Sequence, residues 1–349
     1  MRIATFLNLF HLSGSGPTKA REGMPVELFT EIDLSPERVR GYVAGLRPFR
    51  QGSPRLEVQH IGKKTVAHNY GHGGSGITMA WGSCLELLDQ LDPALADPSP
   101  VAVLGAGVMG LCAATLLQER GHEVCIYAAR LPEETVSMVA GGLWAPTHVG
   151  SEKPSRHERI LRRSWHAYEQ LKGAEFGVYE VPLFESDDRA YPLDPVPAGL
   201  TPPPRRLAQL PFSGRRPSGT VSSTFLIETS TFLNRLWNDF QARGGRTKQG
   251  ELENLEAVEQ LRERVVVNCC GLGARELVPD KTLSPIRGQL VLLEPAPRQF
   301  VLDYAQGYVI SRSDVLVLGG TFEEGEEEAR PQHTTCAKIL HEAREFFGV

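Results

Sequence analysis

The spacing of apolar residues divides the chain into strand-like and helix-like segments. Residues 38–46 alternate between apolar and polar positions, residues 56–68 give two further extended stretches, and residues 77–91 have the apolar spacing of a helix. Residues 101–104 then form a short, continuous apolar run, which is typical of a buried parallel strand. The pattern predicts a mixed α/β fold in which a polar, proline-containing junction at residues 92–100 precedes the buried strand.

The second half of the chain carries a different pattern. It predicts a helix, a buried strand, three strands of an antiparallel sheet and a final helix, at residues 232–243, 265–267, 290–293, 308–310, 315–318 and 334–347. Residues 150–216 carry mixed signals and crowded prolines, which predict a loop-rich lobe and not another sheet.

Composition restricts the class of partner. The hydrophobic content of 41% over 349 residues is enough to bury a large core, and no signal peptide or membrane span is expected. A net charge of -5 gives no general attraction to phosphate backbones or acidic membranes, so we expect a small-molecule partner and no nucleic acid. The six cysteines lack paired metal-ligand spacing, which predicts no metal site and suits a reducing compartment.

Three glycines follow the buried strand at the spacing GxGxxG. Gly105 permits the tight turn, Gly107 lets a pyrophosphate approach bare backbone, and Gly110 lets the next helix pack closely on the strand. Val108 and Met109 complete the fingerprint, a helix is predicted at residues 111–120, and the N-terminal amides and dipole of this helix are expected to stabilise a diphosphate. The segment therefore predicts a dinucleotide-binding site.

One element of that fingerprint is missing. After the second predicted strand, at residues 123–127, an acidic residue normally binds the adenosine ribose, but here Ala129 and Arg130 occupy this region. Arg130 is also compatible with a 2'-phosphate. An NADP-dependent Rossmann reductase is therefore an open alternative at this point.

Several motifs outside the fingerprint resemble the D-amino-acid oxidase family. The segment AGGLWAP at residues 140–146 and the segment VNCCGLGAREL at residues 267–277 are two of them, and IRGQ, YVISR and LGGT at residues 286–289, 308–312 and 318–321 continue the resemblance. The resemblance implies that FAD is the cofactor. It implies contacts to FAD from Gly142, Leu143, Trp144, Cys270 and Gly271.

The family's last flavin-binding motif comes first in this chain. Residues 68–82, HNYGHGGSGITMAWG, contain that motif, and the resemblance implies FAD contacts from Gly73, Gly76, Ile77 and Thr78. Their order implies a circular permutation of the family's Rossmann-like FAD-binding domain and antiparallel-sheet substrate domain. The predicted division is an extension or linker at residues 1–24, substrate-domain parts at 25–58, 151–222 and 276–349, and FAD-binding parts at 59–150 and 223–275.

The resemblance also assigns the catalytic groups. Arg47, in GLRPFR at residues 45–50, matches the arginine that binds a substrate carboxylate through two parallel hydrogen bonds. Tyr308 matches the tyrosine that hydrogen-bonds this carboxylate, and Tyr304 matches the one that covers the substrate. The backbone at Gly74 is expected to approach the flavin and the substrate amine.

The implied reaction is oxidative deamination of a D-amino acid or related small amine. The α-hydrogen moves as hydride to flavin N5, the imino acid hydrolyses to a 2-oxo acid and ammonia, and molecular oxygen is reduced to hydrogen peroxide. A non-catalytic flavin-binding protein is the other alternative. The final residues FGV contain no peroxisomal signal, so a cytoplasmic location is expected, and a homodimer is compatible with the sequence.

Overall fold

The computed structural model describes residues 32–349 apart from residues 96, 148, 151, 152, 191 and 192, so the predicted extension at residues 1–24 lies outside the described part. Its α-helices are α1 (Gly76–Leu91), α2 (Val108–Glu119), α3 (Val136–Val139), α4 (Pro154–Gln170), α5 (Thr229–Ala242), α6 (Leu255–Glu259), α7 (Ala274–Leu277) and α8 (His333–Phe347). Its strands are β1 (Val39–Arg50), β2 (Arg55–Ile61), β3 (Lys64–Tyr70), β4 (Val101–Leu104), β5 (Val124–Ala128), β6 (Val178–Ser186), β7 (Arg205–Leu207), β8 (Gly219–Ile227), β9 (Arg246–Gln249), β10 (Val265–Asn268), β11 (Leu283–Leu293), β12 (Phe300–Tyr304), β13 (Gly307–Ser311), β14 (Leu316–Gly319) and β15 (Glu323–Glu324).

The smaller sheet has the strand order β2-β3-β10-β4-β5-β9. All neighbours in it run parallel except the edge strand β2. Apolar side chains of α1, α2, α4 and α5 pack on one face of the sheet, and α6 and α7 pack on the other. Because both faces are covered, β4, β5 and β10 are buried at every position, and this explains their continuous apolar sequences.

The larger sheet has the strand order β1-β11-β14-β13-β12-β6-β8-β7, with β15 paired to β11. Its pairs are antiparallel except β12 with β6. Apolar residues are buried on both faces of this sheet: one face packs on α8, and the other packs around Val139 and Leu143. The predicted α/β fold, with a Rossmann-like sheet and an antiparallel sheet, is confirmed.

Residues before the fingerprint contribute to both sheets. Strand β1 pairs with β11 along almost its whole length, whereas β3 lies between β2 and β10 in the smaller sheet. The two sheets are therefore assembled from interleaved parts of the chain. Two predicted boundaries need correction: the division at residues 58 and 59 cuts β2, and the division at 222 and 223 cuts β8, because each strand lies in one sheet throughout.

The loop-rich prediction for residues 150–216 is wrong. This stretch contains the 17-residue helix α4 and the nine-residue strand β6. Helix α4 also packs on α1, so it belongs with the smaller sheet and not with the predicted substrate domain. Among the helices of the described residues, none is long and apolar enough to cross a bilayer.

Candidate active site

The glycine turn between β4 and α2 requires glycine at two of its positions. Gly105 has a φ of 99°, and a Cβ built there lies only 2.6 Å from the carbonyl oxygen of Cys269. A Cβ on Gly110 overlaps the carbonyl group of Gly105, with the carbonyl carbon at 2.9 Å. These contacts are the tight turn and the close helix packing that the fingerprint predicts.

Ser137 is a polar group at this turn that the sequence analysis did not identify. Its Oγ accepts a hydrogen bond from the backbone N–H of Val108 at 3.0 Å, and it lies 3.1 Å from a Cβ built on Gly107. Gly107 is the N-cap of α2 and provides no side-chain cap of its own. The hydroxyl group therefore lies where a helix N-terminus binds anions, next to Met109 in the first turn. No signal in the sequence indicated this role, because Ser137 and Val108 are 29 residues apart and only the folded chain brings them together.

The end of β10 lies beside the end of β4. The amide of Cys269 donates to the carbonyl of Leu104 at 2.8 Å, and the amide of Cys270 donates to Oδ1 of Asn268 at 3.1 Å. Gly271 follows with a φ of 57°. The predicted Cys270-Gly271 segment is therefore next to the glycine turn. Burial raises the pKa of Cys270 to about 12, so this thiol stays protonated and its contribution is structural.

The adenosine end of the site lacks an acidic residue directly after β5. Ala129 and Arg130 are both exposed where that strand ends. The guanidinium of Arg130 is therefore accessible to solvent, its contact with a cofactor stays a prediction, and neither residue supplies the usual ribose-binding carboxylate.

The N-terminus of α1 faces the segment of residues 145–147. The hydroxyl of Ser75 donates to the carbonyl of Thr147 at 2.8 Å and accepts from its amide at 2.8 Å. The hydroxyl of Thr78 donates to the carbonyl of Ala145 at 2.9 Å and accepts from its amide at 3.1 Å. These four bonds fix the first turn of α1 against the residues that follow the AGGLWAP glycines.

Glycines keep the space in front of α1 open. No heavy atom lies within 4 Å of a Cβ built on Gly76, and Gly73 has a φ of 53°. At Gly74, a Cβ lies 3.1 Å from the carbonyl oxygen of Thr147, so a larger residue displaces that segment. Helix α1 also starts without a side-chain cap, which leaves the first-turn amides, including that of Ile77, available to an electron-rich ring.

Trp144 is placed differently from the prediction. Its ring is 1% exposed and packs edge-to-face on Trp165 with centroids 4.7 Å apart. Its amide donates to the carbonyl of Phe225 at 2.8 Å, so neither ring nor amide faces an open cleft. Gly142 has a φ of 86° and closely approaches the backbone of Ile227, with carbonyl carbon and built Cβ 3.1 Å apart. Leu143, between these two residues, is only partly buried.

Arg47 and Tyr308 lie on the same face of the larger sheet. The guanidinium of Arg47 lies over Gly288 of the adjacent strand β11, where a built Cβ is 2.6 Å from Cζ. The ring of Tyr308 lies over Gly319 of the adjacent strand β14, where a built Cβ is 2.5 Å from Cε2. Because β11 and β14 are neighbours, the two polar heads point toward each other across these strands.

The strand that carries Arg47 also approaches the glycine loop that precedes α1. Phe49, on the same strand as Arg47, forms an isolated β-bridge with His72. The guanidinium of Arg47 donates to the carbonyl of Thr321 at 3.3 Å and lies 5.9 Å from the ring centroid of Phe322. The structure thus brings Arg47 and Tyr308 together on one face of the larger sheet and places the glycine loop beside the strand that carries Arg47.

Tyr304 does not belong to this group. Its ring is 1% exposed on the opposite face of the sheet, and its centroid lies 4.7 Å from that of Phe346 in α8. Burial raises the pKa of its hydroxyl well above the usual range. The predicted role as a substrate cover is wrong, because Tyr304 pairs with Gly307 across a tight hairpin and its side chain therefore points away from that of Tyr308.

A glycine-turn dinucleotide site joined to an antiparallel sheet that presents an arginine and a tyrosine defines a nucleotide-dependent oxidoreductase. The chain belongs to the family described as FAD dependent oxidoreductase, whose sequence profile matches residues 100–349. FAD is therefore the cofactor, which the glycine turn and the uncapped N-terminus of α1 fit. This membership favours FAD over the NADP alternative.

Named relatives match about 70% of the chain. A D-amino-acid oxidase from Streptomyces coelicolor is 35% identical over 69% of this chain and 75% of that protein. A D-amino-acid oxidase from Rubrobacter xylanophilus is 33% identical over 68% of this chain and 74% of that protein. Glycine oxidase from Geobacillus kaustophilus shares the fold with a TM-score of 0.54 and 17% identity over 71% of this chain and 78% of that one.

Proposed function

We propose that this chain catalyses the oxidative deamination of D-amino acids with FAD, and that molecular oxygen is the electron acceptor. The observation that carries the proposal is the convergence of Arg47 and Tyr308 on one sheet face, each lying over a glycine of the adjacent strand. A guanidinium and a phenol in this arrangement match an α-carboxylate. The names of the two relatives with more than 30% identity support the same substrate class.

Each protein group has a role in this proposal. Arg47 pairs with the substrate carboxylate, and Tyr308 donates its hydroxyl hydrogen to the same group. The backbone near Gly74 accepts a hydrogen bond from the substrate amine in its neutral form, so no catalytic base is required. With carboxylate and amine both fixed, only one enantiomer directs its α-hydrogen at the flavin.

When bound, FAD would accept two electrons as the hydride that leaves the α-carbon. As this C–H bond breaks, the nitrogen lone pair forms the C=N bond of an imino acid, and water then releases ammonia and a 2-oxo acid. The amides at the N-terminus of α1, around Ile77 and Thr78, point their positive end at the space in front of Gly76 and would stabilise negative charge there.

We also propose that the chain order is a circular permutation of the family's order. The match to the family starts at residue 100. Earlier residues nevertheless form β1, β2 and β3, which belong to the two sheets, and α1, which packs on the smaller sheet. Ile32 and Leu34 pack in one apolar cluster with Phe346 and Phe347 of α8, so both ends of the described chain lie together. A cytoplasmic location and a homodimer stay predictions.

Anaerobic spectroscopy of the purified holoenzyme tests the function. We expect D-amino acids to bleach the visible flavin absorbance and L-amino acids to leave it unchanged, with hydrogen peroxide formed when air is admitted. A yellow protein that no D-amino acid or small amine bleaches would instead support the non-catalytic flavin-binding alternative.

A further inference from the structure

Asp303 lies on the substrate face of the larger sheet. In the β12–β13 hairpin, it pairs directly with Tyr308, and paired residues of an antiparallel ladder point to the same face. Its neighbours on that face, Val301 and Ile310, belong to the apolar cluster that packs around Leu143. The sequence motifs did not identify this residue, although it immediately precedes Tyr304.

One oxygen of the Asp303 carboxyl group is buried without a hydrogen-bond partner among the described residues. The residue is 9% exposed, and its Oδ2 accepts no hydrogen bond from any described residue. The facing strand places Glu185 beside it, and Arg189 forms its ion pair with Glu185 at 3.4 Å. Burial and the nearby Glu185 raise the pKa of Asp303 to about 7, although the guanidinium of Arg189 acts in the opposite direction. Buried polar groups are nearly always paired, so a group that the chain itself does not satisfy points to a ligand.

The position of Asp303 relative to Tyr308 fixes how long that ligand must be. The ring of Tyr308 lies over Gly319, on the side toward Arg47, whereas Asp303 is on the neighbouring strand on the other side. With strands about 4.8 Å apart, the tyrosine hydroxyl and the carboxyl group are separated by on the order of 10 Å. A substrate held by its α-carboxylate reaches Asp303 only with a long side chain.

We propose that Asp303 binds a cationic group at the end of the substrate side chain, so that D-amino acids with long basic side chains, such as D-lysine, are the preferred class. This inference rests on the proposed function. A four-carbon side chain followed by a hydrogen bond of about 2.8 Å has the required reach. The carboxylate of Asp303 suits the ammonium group at the end of such a side chain.

Steady-state kinetics of the holoenzyme with an isosteric substrate pair test the proposal. D-lysine and D-2-aminoheptanoate differ only in an ammonium group in place of a methyl group. We expect the wild type to prefer D-lysine, and Asp303→Asn to lower kcat/KM for D-lysine about 10- to 100-fold, mainly through KM. Activity on D-2-aminoheptanoate should stay within about twofold. Glu345→Gln, which removes an exposed carboxylate from α8, is the charge-matched control and should change neither substrate.

A binding measurement separates this inference from the proposed function. The shift of the flavin spectrum on titration with 6-aminohexanoate or heptanoate reports binding without turnover, and the wild type should bind 6-aminohexanoate more tightly. If no D-amino acid is oxidised but this preference is present and lost in Asp303→Asn, the function proposal fails and the inference stands. If the wild type favours D-2-aminoheptanoate and heptanoate, or Asp303→Asn weakens both members of each pair equally, the inference is overturned. If Asp303→Asn does not fold, the inference is tested by the wild type alone, through its preference for D-lysine over D-2-aminoheptanoate and for 6-aminohexanoate over heptanoate.

Discussion

Gly288 determines where the guanidinium of Arg47 lies, so its replacement by alanine is a direct test of the site. A Cβ at this position is 2.6 Å from both Cζ and Nη1 of Arg47, whereas normal contact between such atoms is about 3.5 Å. The guanidinium must therefore move by about 1 Å. Since the group that moves is the end of a flexible side chain, the cost in folding stability should be small, within about 0.5 kcal/mol.

The expected loss is in catalysis. A 1 Å displacement of a substrate-positioning group costs on the order of 100-fold in rate, or about 2.7 kcal/mol of transition-state stabilisation. We therefore expect Gly288→Ala to reduce kcat/KM for a D-amino acid about 100-fold, with unchanged FAD content and thermal unfolding temperature. Peroxide release under saturating oxygen measures the rate.

Gly41→Ala is the matched control for this substitution. Gly41 lies on β1, the strand that also carries Arg47, and no heavy atom is within 4 Å of a Cβ built there. The kcat/KM of Gly41→Ala for a D-amino acid should equal that of the wild type. A Gly288→Ala enzyme that also retains wild-type kcat/KM would refute the placement of Arg47 against the substrate carboxylate.

Two further predictions concern the cofactor and the chain order. Ser137→Ala removes the acceptor for the Val108 amide at the N-terminus of α2, so we expect the Kd for FAD to rise about 5- to 10-fold in fluorescence titration of the apoprotein. The control is Thr135→Ala, which should leave this Kd unchanged because the Thr135 hydroxyl donates to the carbonyl of Pro132, outside the turn. Equal FAD affinities for the wild type and both variants would rule out a phosphate role for Ser137. A gene that encodes residues 100–349 followed by residues 32–95 restores the family's chain order and should give a yellow, active protein, because both ends of the described chain pack in one apolar cluster. Failure of this protein to bind FAD would contradict the permutation.

Local requirements made the glycine turn predictable from the sequence. The positive φ of Gly105 and the close approach at Gly110 depend on a few consecutive residues after a buried strand. The strand with Arg47 was likewise recognisable from its motif. A strand at residues 290–293, within β11, was also predicted, but its pairing with β1 was not, since pairing between distant segments leaves little trace in a single sequence.

The side to which a residue points was harder to predict. Tyr304 and Tyr308 carry the family's spacing, yet the hairpin register places them on opposite faces and puts Asp303 beside Tyr308 instead. Helix α4 escaped prediction because its buried positions, such as Trp165 and Tyr168, are set among many charged residues. Strand β6 was missed because Pro182 interrupts it, and proline is normally confined to edge strands.

The pairing of β1 with β11 has a consequence for synthesis of the protein on the ribosome. β1 emerges early, but its only neighbour in the described sheet is encoded far downstream. Until β11 appears, the strand that carries Arg47 has no partner strand in the larger sheet. Arg47, for which we propose the carboxylate-binding role, is thus translated early and positioned late, and we expect this to slow folding and to expose the nascent chain to misassociation in the interval.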